Sequence, residues 1–160
     1  MTPSTSDQPG TLALETVHER VERQLATDQQ RYTDGRRRLV TLLVAAGRPL
    51  SLPEMLSRDH ELPQSSAYRN LDILESTGLV RRLATDTDHA RYELAESLLG
   101  HHHHLICTGC GSIQDVRLAP DVEGAVEAAL EQVAADAGFE PERHTLDLHG
   151  RCRECRDVRL

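Results

Sequence analysis

Two Cys-x-x-Cys pairs, Cys107/Cys110 and Cys152/Cys155, constrain this chain more than any other feature, because they are all the cysteine it has. Pairs at this spacing in a cytosolic chain usually hold metal rather than form disulfides. Four thiolates complete a closed tetrahedral shell around zinc and leave no open position for a substrate, so the expected site is structural. The two pairs lie far apart in the chain, so the metal would tie two distant segments together. In small zinc modules that binding amounts to roughly 10–16 kcal/mol of folding free energy. The chain has use for it: with 2% aromatic residues, no Trp and one Phe, its cores rest on Leu, Val, Ile and Ala, and small cores of that kind often need a metal or a partner subunit.

Directly before the first pair stand four histidines, His101 to His104. The run leads into strand-like Leu105–Cys107, so its side chains alternate between faces. His101 and His103 point one way, His102 and His104 the other, and one run can serve two metal sites. An internal run followed at once by Cys-x-x-Cys is read as a ligand cluster rather than an exposed polar stretch. His18, His60 and His149 are read as surface or capping residues.

Along the chain, apolar residues at Leu14, Val17, Val21 and Leu25 give helical spacing over about 12–28. Residues 36–46 form a second helix closed by Gly47 and Pro49. Ser51-Leu-Pro-Glu54 is a capping box that opens a short helix to about Arg58. After the break at Pro63, Ser65 is the expected N-cap of a helix from Ser66 to Ser76, with Ala67, Leu71 and Leu74 on its buried face and Gly78 at its end. Residues 79–84 and 90–94 read as strands around the polar turn 85–88. Three short helices followed by a hairpin describe a winged helix-turn-helix. Residues 95–100 are the expected hinge. Beyond it come strands at 105–107 and 113–118, a helix at about 121–137 between Pro120 and Gly138, and a strand at about 144–148. The fold class is therefore α+β. A disordered tail (1–11) precedes an N-terminal winged-helix DNA-binding domain (12–95), and a small α/β dimerisation and metal-binding domain (96–160) follows.

The ordered set of motifs resembles the ferric uptake regulator family. The matching pieces are Arg31-Tyr-Thr33-x-x-Arg36, Ser66-Ala-Tyr68-Arg69-Asn70-Leu71, Thr77-Gly-Leu-Val80 and Arg91-Tyr-Glu-Leu94. His101–His104, Leu-Ile-Cys107-x-x-Cys110-Gly111, Gly138-Phe139, His144 and Gly150-x-Cys152-x-x-Cys155 then follow in family order. The match spans roughly residues 15–157. The resemblance implies a metal-dependent transcriptional repressor that binds an inverted-repeat DNA operator as a homodimer. It implies structural zinc on Cys107, Cys110, Cys152 and Cys155, and a second site on His101, His103, Glu123 and His144. It pairs His102 and His104 with Glu93 in a hinge-side sensor site. His89, four residues from Glu93 on the same expected strand face, is added to that site on spacing alone. The DNA contacts implied are Arg36, Ser65, Ser66, Tyr68, Arg69 and Arg81. Two departures stand out. Ser65-Ser-Ala precedes Tyr68 where the family has Ala-Thr-Val, and Arg48-Pro49-Leu50 stands where iron sensors carry a His.

Imidazole and carboxylate ligands suit Zn(II) or Fe(II). The unbroken four-histidine run resembles zinc uptake regulators more than iron sensors, so a regulatory zinc is expected, with an iron-responsive or peroxide-sensing regulator as the alternative. A zinc hydrolase would need an open metal position with a base, as in His-Glu-x-x-His, which the sequence lacks. A metal store would leave the helix-turn-helix unexplained. No apolar run approaches a membrane span, and residues 1–10 lack the basic start and apolar stretch of a signal peptide. The protein is thus read as cytoplasmic, with no membrane partner. The net charge of −8 falls mostly in the second half, and every fixed basic side chain is Arg, the side chain best shaped for phosphate and guanine.

Overall fold

The structure is a computed structural model that describes residues 14–83 and 89–157. The chain divides into two compact units, the first reaching Gly100 and the second beginning at His101.

In the first unit, α1 (Leu14–Thr27), α2 (Asp34–Ala46), α3 (Leu52–Arg58) and α4 (Gln64–Ser76) pack beside a small sheet. Its strands β1 (Leu50–Ser51), β2 (Val80–Leu83) and β3 (Arg91–Leu94) run in the order β1-β3-β2, all antiparallel. The apolar stripe of each helix supplies the core: Val17, Val21 and Leu25 from α1, Leu39, Val40 and Leu43 from α2, and Ala67, Leu71 and Leu74 from α4. The capping box is present as read, with Ser51 and Glu54 satisfying each other's amides. Gly47 and Gly78 end α2 and α4 at φ +57° and +70°, a region that favours glycine.

Four local expectations need correction. First, α4 starts at Gln64 with Pro63 as its N-cap, whose carbonyl accepts from the Ser66 and Ala67 amides. Ser65 and Ser66 therefore do not cap the helix, and proline's fixed φ sets its start instead. Second, the expected hinge contains a one-turn helix, α5 (Glu96–Leu99), and Leu98 joins the first core. Third, His18 is buried rather than exposed: its imidazole lies between α1 and α2 against Tyr32 and Thr41. Fourth, the last strand forms three residues later than expected. The turn at 85–88 lies outside the described residues.

In the second unit, β4 (His103–Cys107) lies between β5 (Ile113–Val116), antiparallel to it, and β6 (Asp147–Gly150), parallel to it. Helix α6 (Pro120–Asp136) connects β5 to β6, and a single turn that periodicity did not indicate, α7 (Arg153–Asp157), ends the described chain. Buried apolar residues are few here: Ile106, Cys107, Ile113 and Ala134. Val122, Leu130, Val133 and Phe139, on α6 and just past it, stay exposed, Val133 at 66% and Phe139 at 68%.

Candidate functional site

The two Cys-x-x-Cys pairs meet. Cys107 ends β4 and Cys110 lies on the tight turn that follows, closed by Gly111 at φ +67° with its amide on the Cys107 carbonyl (2.9 Å). Cys152 and Cys155 lie at helical spacing at the start of α7, so both sulfurs share one side of that turn. One sulfur from each of the four residues lies within 4.8 Å of every other. The Cys110 and Cys152 sulfurs are 3.8 Å apart, the edge of a tetrahedron whose metal–sulfur bonds are about 2.3 Å. Gly109 leaves room for the cluster, since a Cβ there would come within 2.9 Å of the Cys155 Cβ. Amides of Cys152 and Gly109 donate to the Cys107 sulfur (3.2 and 3.4 Å). The Cys152 amide, with other backbone donors, lowers the Cys107 thiol to about 6, whereas the neighbouring sulfurs, Cys152 first, push Cys155 up to about 12. Four clustered thiols thus cannot all ionise unless a cation neutralises them, and the donor set fits zinc.

Alternation on the histidine run produces two further clusters. On one face, His101 and His103 meet Glu123 from the first turn of α6 and His144 from the segment leading into β6. The Nε2 atoms of His101 and His144 are 3.2 Å apart, and both approach Glu123 Oε1, at 3.4 and 3.2 Å. His103 Nε2 lies 2.8 Å from Glu123 Oε2. Glu123 Oε1 is nonetheless buried without a hydrogen-bond partner among the described residues. A tetrahedral site with bonds of about 2.0–2.1 Å has edges of about 3.3 Å, which the three distances among His101 Nε2, His144 Nε2 and Glu123 Oε1 match. The hydrogen bond from His103, together with the nearby imidazoles, holds the Glu123 carboxyl below its ordinary value against the effect of burial.

On the other face, His102 and His104 are buried edge to face, ring centroids 5.2 Å apart. Asp115, the residue opposite His104 on β5, brings Oδ1 to 4.0 Å from His104 Nε2. Asp147, opposite His104 on β6, holds its Nδ1 at 3.0 Å. A carboxylate on one ring nitrogen fixes the tautomer and aims the other at a metal. Sequence reading missed both aspartates. Each is an isolated acid in a strand, and only the strand pairing sets it opposite His104.

The other expected residues lie in the first unit. Glu93 is buried, and Arg81 pairs with it (2.5 Å) and with Glu96 (3.5 Å). Arg81 is therefore engaged within the wing, and the exposed guanidinium on β2 is that of Arg82. His89 is exposed, and the groups of metal-capable side chains found among the described residues do not include it. Arg36 is 7% exposed, held by the Arg31 carbonyl and Asn70; it braces α2 against α4 rather than facing outward. Ser65, Tyr68 and Arg69 are exposed on α4 and Ser66 is partly exposed, opposite the face of Ala67, Leu71 and Leu74. Among the described residues, no helix is long and apolar enough to cross a membrane.

Comparison with known proteins agrees with this geometry. The sequence profile of the ferric uptake regulator family matches residues 27–149. A ferric uptake regulation protein of Bordetella parapertussis is 34% identical over 105 residues, covering 66% of this chain and 70% of that protein. A zinc uptake regulation protein of Mycobacterium tuberculosis is 36% identical over 103 residues, covering 64% and 74%. Among solved structures, the Helicobacter pylori ferric uptake regulator, described as having three functional metal-binding sites, superposes with a TM-score of 0.72 at 25% identity, covering 94% of this chain and 99% of that one. Family members bind DNA operators and act as dimers. With the family profile covering most of the sequence and the paired units matching in fold, the chain belongs to the ferric uptake regulator family of metal-responsive transcription regulators, which are not enzymes.

Proposed function

We propose that this regulator is a zinc-responsive repressor acting in the cytoplasm, which binds an inverted-repeat operator as a homodimer and controls metal-uptake genes. What supports zinc is the donor set of His101, His103, His144 and Glu123, in which His101 Nε2, His144 Nε2 and Glu123 Oε1 lie 3.2–3.4 Å from one another, a spacing that suits a four-coordinate ion with bonds of about 2.0–2.1 Å. The likeness to the zinc uptake regulation protein of Mycobacterium tuberculosis points the same way. In this reading Cys107, Cys110, Cys152 and Cys155 hold structural zinc, and α4 offers Tyr68 and Arg69 to the major groove. The exposed apolar side of α6 pairs with a second copy of the chain. Iron is the second reading, favoured by the carboxylate Asp115 beside His104, since oxygen donors suit harder ions.

His102 and His104 follow directly on Gly100, where the first unit ends, so a metal they hold acts beside the junction. The resemblance adds Glu93 to this sensor site, and that ligand remains part of the proposal. Coupling of about 1–3 kcal/mol per site is enough to change operator affinity several-fold to a hundred-fold. Elemental analysis, with titration of operator binding by each metal, tests the assignment. Zinc should drive tight binding at the lowest free concentration, and His104→Ala or Glu93→Ala should abolish the response in a folded dimer. An operator complex driven by iron and indifferent to zinc would refute the zinc assignment. If Glu93→Ala responds like the parent while His144→Ala is inactive, the sensing role belongs to the other cluster.

A further inference from the structure

Three arginines open α2, and the structure gives them different surroundings. Arg36 is buried against Asn70 and the Arg31 carbonyl. Arg38 is tied to Asp34, Asp59 and Glu61. Arg37 is exposed, and among the described residues it forms no ion pair. Its guanidinium carbon lies 4.5 Å from the centroid of the Tyr32 ring. Stacking on an aromatic face leaves the planar donor fork oriented outward and reduces the freedom it would lose on binding an anion.

The Tyr32 ring is itself fixed. The Thr41 hydroxyl donates to the Arg37 carbonyl (2.9 Å), so toward His18 Nε2, 3.2 Å away, it can only accept. His18 therefore carries its proton on Nε2, and Nδ1 accepts from the Tyr32 hydroxyl at 2.5 Å. This segment borders the recognition helix: a Cβ at Gly35 would come within 2.7 Å of the Asn70 Nδ2, and Arg36 reaches Asn70 Oδ1 at 3.3 Å.

We propose that Arg37, presented by Tyr32, contacts a backbone phosphate of the operator, and that His18 is the positioning residue that makes this contact depend on protonation. The proposal rests on the operator-binding reading above. A doubly protonated His18 would turn Nδ1 into a donor toward Tyr32, forcing the hydroxyl to turn its own proton away and accept, and would set a second cation near Arg37. The groups facing His18 are Tyr32 from the loop and Thr41 and Arg37 from α2, with Glu22 of α1 acting on Tyr32. Among the described residues no carboxylate pairs with the imidazole. Burial, and then Arg37, lower the His18 pKa from its ordinary 6.5. A group lowered in this way favours the neutral imidazole, and with it the hydrogen-bonded Tyr32–His18–Thr41 arrangement, above that ordinary value, and the preference is lost as pH falls below it.

The test uses the full chain, saturated with metal, and a duplex selected from a random DNA library by the metal-loaded parent. Affinity is measured by fluorescence anisotropy across salt concentrations at about pH 7.5 and about pH 6. Arg37→Ala should weaken binding to all duplexes alike and reduce the slope of log affinity against log salt by about 1. His18→Gln, whose amide can accept from Tyr32 and donate to Thr41, should keep the affinity and slope of the parent at the higher pH. It should lose the extra several-fold fall that the parent shows at the lower pH, and that extra fall should also vanish when Arg37 is Ala. Titration of the metal-site histidines is common to all variants, so the difference isolates His18. An unchanged salt slope in folded Arg37→Ala, or identical pH profiles for parent and His18→Gln, overturns the proposal. A parent that selects no duplex with any metal overturns the operator reading as well.

Discussion

Replacing Cys155 by alanine should dismantle the second unit while leaving the first folded. The reason lies in how little else holds that unit together. Its buried apolar side chains are Ile106, Cys107, Ile113 and Ala134, and burying an isoleucine is worth about 2–3 kcal/mol. The first unit, by contrast, has a continuous apolar core drawn from every helix and the sheet. A structural zinc contributes on the order of 10 kcal/mol, comparable with the whole stability of an ordinary domain, about 5–15 kcal/mol. Removing one of four sulfurs opens the shell and forfeits most of that. Zinc content would be measured on protein released by denaturant, and oligomeric state by sedimentation. Hydrogen exchange would report α1–α4 separately from β4–β6. The expected result is one zinc fewer per chain, a monomer, and loss of protection confined to residues beyond Gly100. A milder variant, Gly109→Ala, pushes a Cβ to within 2.9 Å of the Cys155 Cβ and should weaken zinc retention against a chelator without abolishing it. A Cys155→Ala protein that stays dimeric with unchanged zinc would refute the reasoning.

Further expectations concern the surface and the wing. Val133→Glu, on the exposed apolar side of α6, should shift the protein to monomer with its secondary structure intact, as read by sedimentation and circular dichroism; a dimer of undiminished affinity would exclude that face. Arg69→Ala should weaken operator binding by about 1–3 kcal/mol if the side chain reads a base, and should relax preference at one operator position; unchanged affinity would remove α4 from the groove. Burial alone would raise the Glu54 carboxyl, but the Ser51 amide, Arg48 and Arg91 hold it down to about 2. That lowering gives stability that is present above the ordinary carboxyl range and lost as pH falls from about 4.5 toward 2, on the order of 2 kcal/mol after allowance for screening. Acid unfolding of Glu54→Gln should show a correspondingly flatter pH dependence across that window.

Much of this molecule is written in local pattern. The helical spacing of Val17, Val21 and Leu25, the Ser51–Glu54 capping box and the glycines after α2 and α4 depend on contacts within a few residues, and the structure keeps them. So do the two faces of the histidine run, because alternation along a strand is a backbone property. What local pattern does not carry is a side chain's environment. Arg36 and Arg81 count as basic residues in sequence, yet one is spent on Asn70 and a carbonyl and the other on two glutamates. His18 has the polarity of a surface residue and is buried because Tyr32 and Thr41 satisfy both its nitrogens.

The sequence by itself determined which atoms could bind metal and that four sulfurs and two sets of imidazoles would act separately, since residue type and strand alternation settle both. The family resemblance had already named Glu123 and Glu93; only the tertiary structure brought two further carboxylates to the histidine run. Asp115 and Asp147 reach His104 through the register of β5 and β6 on β4. Those pairings join residues distant along the chain, and no local periodicity encodes a register that is fixed by how the whole sheet closes.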